Sequence, residues 1–237
     1  MFYKDKFRSR LVAAQPETIL DVGCGTGSLL YHCEQHGICA FGIDPDSEAI
    51  AACSRQGLSA TLGHAEDINF PDNSVDLVVS EFSLHHYLDL SGFLREAVRV
   101  ARRGILCLDA WYDLSIPSQK SASEFDRWMK RVDRASGEVH HDVYDIDRIT
   151  SALPDHSTKP NIDAEYWLDL RPLAPSKLEK LKDMCLSKAG HKTEICDEFV
   201  EIDALIQKYG ISEDGALFFQ ATWSDVMNSQ CVQDVNV

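Results

Sequence analysis

No apolar run in this chain approaches the roughly 20 residues that a membrane span requires, so no membrane partner is expected. A C-x-x-C pair is missing as well. The eight cysteines (Cys24, Cys33, Cys39, Cys53, Cys107, Cys185, Cys196 and Cys231) stand apart. Several fall inside apolar periodic segments, where a thiol packs as a small hydrophobe. Free thiols in a reducing compartment are therefore expected, with no disulfide framework and no metal site. Basic clusters are scarce: no run is longer than Arg102-Arg103, in a chain with formal net charge −15. Binding a phosphate backbone needs grouped Lys and Arg, so no nucleic-acid partner is expected. Met1-Phe2-Tyr3-Lys4-Asp5-Lys6 has no apolar core and no signal-peptide pattern. Together these absences predict a cytoplasmic protein.

What remains is an ordinary globular composition. With 44% hydrophobic residues and only 13 glycines and 8 prolines in 237 residues, the chain can bury a full core as one domain, 1–237. Ile19–Val22 reads as a buried strand, and Leu29, Leu30 and Cys33 recur at helical spacing up to Gly37. Ile38–Ile43 is a second apolar run ending in Asp44. Pro45 is expected at the first position of a helix running to Gln56. Leu58–Leu62 and the valine-rich Val75–Ser80 are further strands. Phe93, Leu94, Ala97, Val98 and Ala101 share one helical face, which Gly104 is expected to break before a fifth strand, Ile105–Leu108. This alternation predicts an α/β fold with a mostly parallel sheet and helices on both faces. Later segments depart from that rhythm: helices near 118–136, 145–153, 176–189 and 197–209, a strand at Tyr166–Leu170, and a last strand at Gly215–Trp223. The tail beyond Asp225 is polar and is expected to fray.

The stretch Ile19-Leu20-Asp21-Val22-Gly23-Cys24-Gly25-Thr26-Gly27-Ser28 runs from strand through glycine turn into helix. Asp44 follows about twenty residues on, where a nucleotide-binding unit places its ribose ligand. The spacing is G-x-G-x-G, not the G-x-G-x-x-G of dinucleotide binders. Asp21 is more telling. A pyrophosphate docks on helix N-termini, and a carboxylate beside it would repel it; a cationic ligand without phosphate would be attracted.

Asp21 through Gly27 resembles the first motif of the class I S-adenosyl-L-methionine-dependent methyltransferases. The resemblance continues through Gly42-Ile43-Asp44-Pro45, His64–Ser74, Val75–Ser80 and Ser83-Leu84-His85-His86, covering about residues 18–110. Arg102-Arg103-Gly104 departs from the usual Lys-Pro-Gly-Gly, and residues 111–237 match only in outline. The resemblance implies a Rossmann-like seven-stranded sheet, with 18–110 as the cofactor half. Helical insertions at 111–165 and 171–212, after strands five and six, would cover the substrate site. It implies S-adenosyl-L-methionine as cofactor, with Gly23, Gly25 and Gly27 at its methionine part and Asp21 at its ammonium. Asp44 would accept both ribose hydroxyls. Glu66 with the Ala65 backbone would read the adenine edge, with Asp67 as the substitute. The Ser80 and Glu81 backbones would close over the methionyl group.

Methyl transfer is an in-line displacement that positions a nucleophile about 3–3.5 Å from the methyl carbon. His85 and His86, just past the fourth strand, stand where ligands bind in open α/β sheets, and histidine suits a base role. The same pair can instead shape the pocket or cap a helix. His140-His141-Asp142 with Asp145 lacks a metal-site spacing of firm precedent and reads as a solvated loop. Trp111, Tyr112, Phe125 and Trp128 either line a pocket or pack inserted helices, and the Ser176–Tyr209 helix pair suits a structural lid or homodimer surface as well as it suits a role in specificity. The expected function is methyl transfer to a small-molecule acceptor. A non-catalytic cofactor-binding protein with a regulatory role is the alternative.

Overall fold

The computed structural model describes residues 2–156, 158–190 and 193–223; Cys231 and the tail expected beyond Asp225 lie outside them. Seven strands make one sheet: β1 (Thr18–Val22), β2 (Cys39–Asp44), β3 (Ala60–Leu62), β4 (Val75–Glu81), β5 (Ala101–Trp111), β6 (Asn161–Trp167) and β7 (Gly215–Thr222). Their spatial order is β3-β2-β1-β4-β5-β7-β6. The pairings from β3 through β5 are parallel. Only β7 runs against its neighbours, β5 and β6. Among the described residues, no helix is long and apolar enough to cross a membrane.

The alternation of side chains along each strand divides the interior in two. One face, with Leu20, Val78, Ile105 and Phe219, packs against α4 (Leu90–Val100) and α6 (Ile146–Ala152). The other, with Ile19, Leu77, Leu106 and Phe218, is covered by α1 (Phe2–Ala13), α2 (Ser28–Gln35) and α3 (Ser47–Arg55). A third core joins α5 (Pro117–Ala135), α7 (Pro175–Ala189) and α8 (Thr193–Tyr209) around Phe125, Trp128 and Phe199. The Trp128 indole N–H is satisfied by the Ile195 carbonyl at 2.7 Å. These helices follow β5 and β6. Because β7 starts opposite the end of β5, with Gly215 paired to Trp111, α7 and α8 stay at the carboxyl edge of the parallel strands.

Three boundaries differ from expectation. Pro45 does not open α3: the Asp46 carboxylate accepts the Glu48 N–H at 2.8 Å and caps a helix that begins at Ser47. Gly104 breaks no helix, since β5 begins directly after α4 and Gly104 lies within it. A Cβ there would stand 2.5 Å from the Ala221 carbonyl of β7, so close strand approach explains the glycine. Strand β6 lies earlier than Tyr166–Leu170. Its half-exposed face carries polar Asn161, Asp163 and Glu165, an edge-strand pattern that gives little apolar signal.

Candidate active site

The glycine turn is tied to the ends of β1 and β2. Gly23 and Cys24 both donate to the Ile43 carbonyl, at 2.9 and 3.1 Å. Gly23 has φ 71°, and a Cβ on it would lie 2.6 Å from the Ser83 side chain, so no other residue fits. Gly25 donates its N–H to Asp44 Oδ2 at 2.8 Å, and Asp46 donates to Oδ1 at 2.9 Å. Each Asp44 oxygen keeps a further lone pair. Gly27 caps α2.

Asp21 is 2% exposed, and its Oδ1 has no hydrogen-bond partner among the described residues. Burial, then the nearby Glu81 carboxylate, pushes the Asp21 carboxyl well above its ordinary range, against the pull of Arg8. A buried acceptor left bare costs free energy that a donor or cation would recover.

Glu81 ends β4 and is gripped by α1. Arg8 donates from Nε at 2.8 Å and Nη2 at 2.9 Å, and Lys4 Nζ stands 2.7 Å away. Arg8 also reaches Ser28 Oγ at 3.0 Å. Lys4 and Arg8 are four apart, hence on one helical face, and they lay α1 beside the glycine turn.

Past Glu81 the chain turns at Phe82, a non-glycine residue with φ 59°, a conformation costing on the order of 1–3 kcal/mol. The 3-10 turn Leu84–His86 follows. Buried Asp109 of β5 receives His85 Nδ1 at 2.5 Å and the His85 N–H at 3.2 Å. His86 Nδ1 donates to the Val139 carbonyl at 3.2 Å, and His140 Nδ1 lies 2.6 Å from Asp133 Oδ2. The loop after α5 is pinned at both sides of His140: His141 N donates to the His85 carbonyl at 2.7 Å, and Arg134 donates to the His140 carbonyl at 2.5 Å. Ring centres of His85, His86 and His140 are 4.3–5.1 Å apart. Burial pushes His86 down, helped by His85. Burial takes His140 to about 4, against the pull of Asp133. Beside them opens a cavity of about 330 Å³, lined by Phe82, His85, Tyr112, Phe125, Lys130 and His140 among others. Lys130 is buried there, 2.8 Å from Asp126.

Residues 20–108 match the family of methyltransferase domains. Over this stretch the chain is similar to methyltransferase domains. Ajmaline N-methyltransferase of Rauvolfia serpentina is 34% identical over 130 residues, covering 50% of this chain and 45% of that enzyme. Fatty-acid O-methyltransferase of Mycolicibacterium smegmatis is 35% identical over 112 residues, covering 44% and 41%. The chain thus spans less than half the length of these curated relatives. The fold is shared with the YcgJ protein of Bacillus subtilis (TM-score 0.61, 16% identity, covering 93% of this chain and 99% of that one). It is also shared with a SAM dependent methyltransferase of Archaeoglobus fulgidus (TM-score 0.55, 15% identity, covering 93% and 98%).

Within residues 20–108, Asp21, Gly23, Gly25, Gly27 and Asp44 converge on one turn. A small cleft leads from Gly23 past Ala65 and Glu66 to His86 and Leu88. Glu66 Oε1 accepts the Asp89 N–H at 3.1 Å, ahead of α4, while Asp67 is exposed. The Ser80 side chain is fully buried. Tyr87 gives its one proton to the Val22 carbonyl at 2.7 Å, so Ser80 donates to Tyr87 at 2.7 Å. The Glu81 side chain is committed to α1. Sequence reasoning missed Lys4, Arg8, Asp109, Lys130 and Asp133. Only the Lys4–Arg8 spacing offered a local signal. His140, read as part of a solvated loop, packs against His85 and His86.

Proposed function

We propose that this chain transfers a methyl group from S-adenosyl-L-methionine to a small-molecule acceptor. The observation that carries the reading is the bare, buried Oδ1 of Asp21 beside the glycine turn, with the Asp44 carboxylate across it. Such a cradle fits the cationic methionyl end of this cofactor and repels a pyrophosphate. Asp21 would hold the ammonium, and Gly23, Gly25 and Gly27 would admit the methionyl backbone. Asp44 would use its remaining lone pairs on the ribose hydroxyls. Ala65 and Glu66, with Asp67 as substitute, would meet the adenine, and the Ser80 and Glu81 backbones would flank the methionyl group. When bound, the cofactor supplies an electrophilic methyl on a sulfonium.

The acceptor would sit in the cavity beneath the α5, α7 and α8 cap, which excludes water from the reaction. His85 is the residue best placed to orient it. Asp109 holds Nδ1 as donor, so Nε2 is left to accept a hydrogen bond or proton from the acceptor, with His86 next to it. The names of the N- and O-methylating relatives support a small-molecule acceptor.

S-adenosylhomocysteine should raise Tm, by the equivalent of about 2.7 kcal/mol at a hundred times its Kd, and Asp44→Ala should weaken its binding strongly. Absence of a shift, together with a shift on adding NAD, overturns the reading. Labelled methyl transfer into a metabolite extract separates an enzyme, which labels a product, from a binding protein, which labels none.

A further inference from the structure

Three histidines from two distant stretches meet beside the cavity, His85 and His140 in its wall and His86 against them. One ring nitrogen each from His85, His86 and His140 lies within 4.8 Å of the other two. The Nδ1 atoms are already taken, by Asp109, by the Val139 carbonyl and by Asp133. Each tautomer is thereby set with Nδ1 protonated, which leaves every Nε2 with its lone pair free. Metal-bound histidines are held in this way, the second nitrogen donating to a carboxylate or carbonyl. Packing alone does not require that all three Nδ1 atoms be held by acceptors.

We propose that His85, His86 and His140 bind a divalent transition-metal ion, Zn²⁺ foremost, with its fourth position open to an oxygen or nitrogen group of the acceptor. Three imidazoles suit zinc, copper or nickel over magnesium or calcium. A tetrahedral ion with bonds of 2.0–2.1 Å holds its nitrogens about 3.3 Å apart, so the rings close by up to ~1.5 Å as they bind. Asp109, Asp126 and Asp133 face the cluster against Lys130 and Lys188, so a second positive charge is tolerated there. With the ion in place His85 is a ligand and no longer a base. The ion would then hold the acceptor's oxygen or nitrogen and polarise it as a Lewis acid. Metal binding stands independently of methyl transfer, since its test needs no methyl donor.

The test titrates Co²⁺ and Zn²⁺ into the chelator-treated full chain. One equivalent of Co²⁺ should bind with the visible absorption of a tetrahedral site, be displaced by Zn²⁺, and raise Tm. His140→Ala should abolish that spectrum. Asp133→Asn, which removes the carboxylate charge behind His140 together with the Lys188 ion pair, should weaken binding by about 10–100-fold. Tm and the response to S-adenosylhomocysteine report whether these variants are folded. Half-buried His32 on α2 and exposed His36 at its C-cap, with rings 4.3 Å apart, are the competing site, and His36→Ala should leave stoichiometry and spectrum unchanged. Failure to bind one equivalent, retention of the spectrum in folded His140→Ala, or its loss in His36→Ala overturns the proposal. A S-adenosylhomocysteine response without metal uptake overturns the metal site and leaves the methyl-transfer reading standing.

Discussion

Asp21 carries two opposed demands. Burial and Glu81 favour its protonated form in the free protein, whereas an ammonium beside it favours the carboxylate. Because its folded pKa is raised, the stability that Asp21 allows is full below the ordinary carboxylate range and falls as pH rises through the folded value. A cationic ligand lowers that value, so binding releases a proton. Affinity for S-adenosylhomocysteine should therefore climb as pH rises above the ordinary carboxylate range, by up to about tenfold per unit. Asp21→Asn should bind more weakly and flatten the dependence. Calorimetry in buffers of different ionisation heat checks the proton count. A pH-independent affinity in the parent chain would remove Asp21 from the cofactor site. Asp21 and Asp44 were legible in the sequence because a strand, a turn and the next strand's end carry them within one local unit. Asp109 and Asp133 were not, because they gain meaning only where β5 and α5 bring them against histidines far away in the chain.

At the scale of elements, the parallel strands were legible because burial on both faces leaves near-continuous apolar runs, as in Val75–Ser80. Strand β6 was displaced in the reading because an edge strand with polar outward residues looks like a loop. Gly104 shows how one residue type serves two causes: a glycine after a helical pattern resembles a stop, yet here it admits the neighbouring backbone. Gly104→Ala should therefore destabilise the protein by about 1–3 kcal/mol, with a lower urea midpoint and an unchanged slope. An unchanged midpoint would show that β5 and β7 can separate at no cost. Helix α1 was not legible as a wall of the site. Its Lys4 and Arg8 acquire that role only through Glu81, at the far end of β4.

Across the whole molecule, the two sheet cores and the cap core are built from different stretches of chain. The first half supplies the glycine turn, the second half the helices α5, α7 and α8 over the cavity. This division explains why family resemblance ends near residue 108 while the fold likeness continues through the cap. The strand order adds a temporal consequence. β7, near the end of the chain, lies between β5 and β6, which touch the sheet's two parts only through it. While the chain emerges from the ribosome, β5 must wait with an open edge until more than a hundred further residues are made. Such an edge invites pairing with other chains. A chain ended after Asp214 should aggregate instead of unfolding cooperatively, and adding the missing strand as a separate peptide during refolding should restore soluble protein. Soluble, cooperatively unfolding truncated chain, as read by light scattering and urea titration, would contradict this. For this protein, the moment of greatest vulnerability falls during its own synthesis.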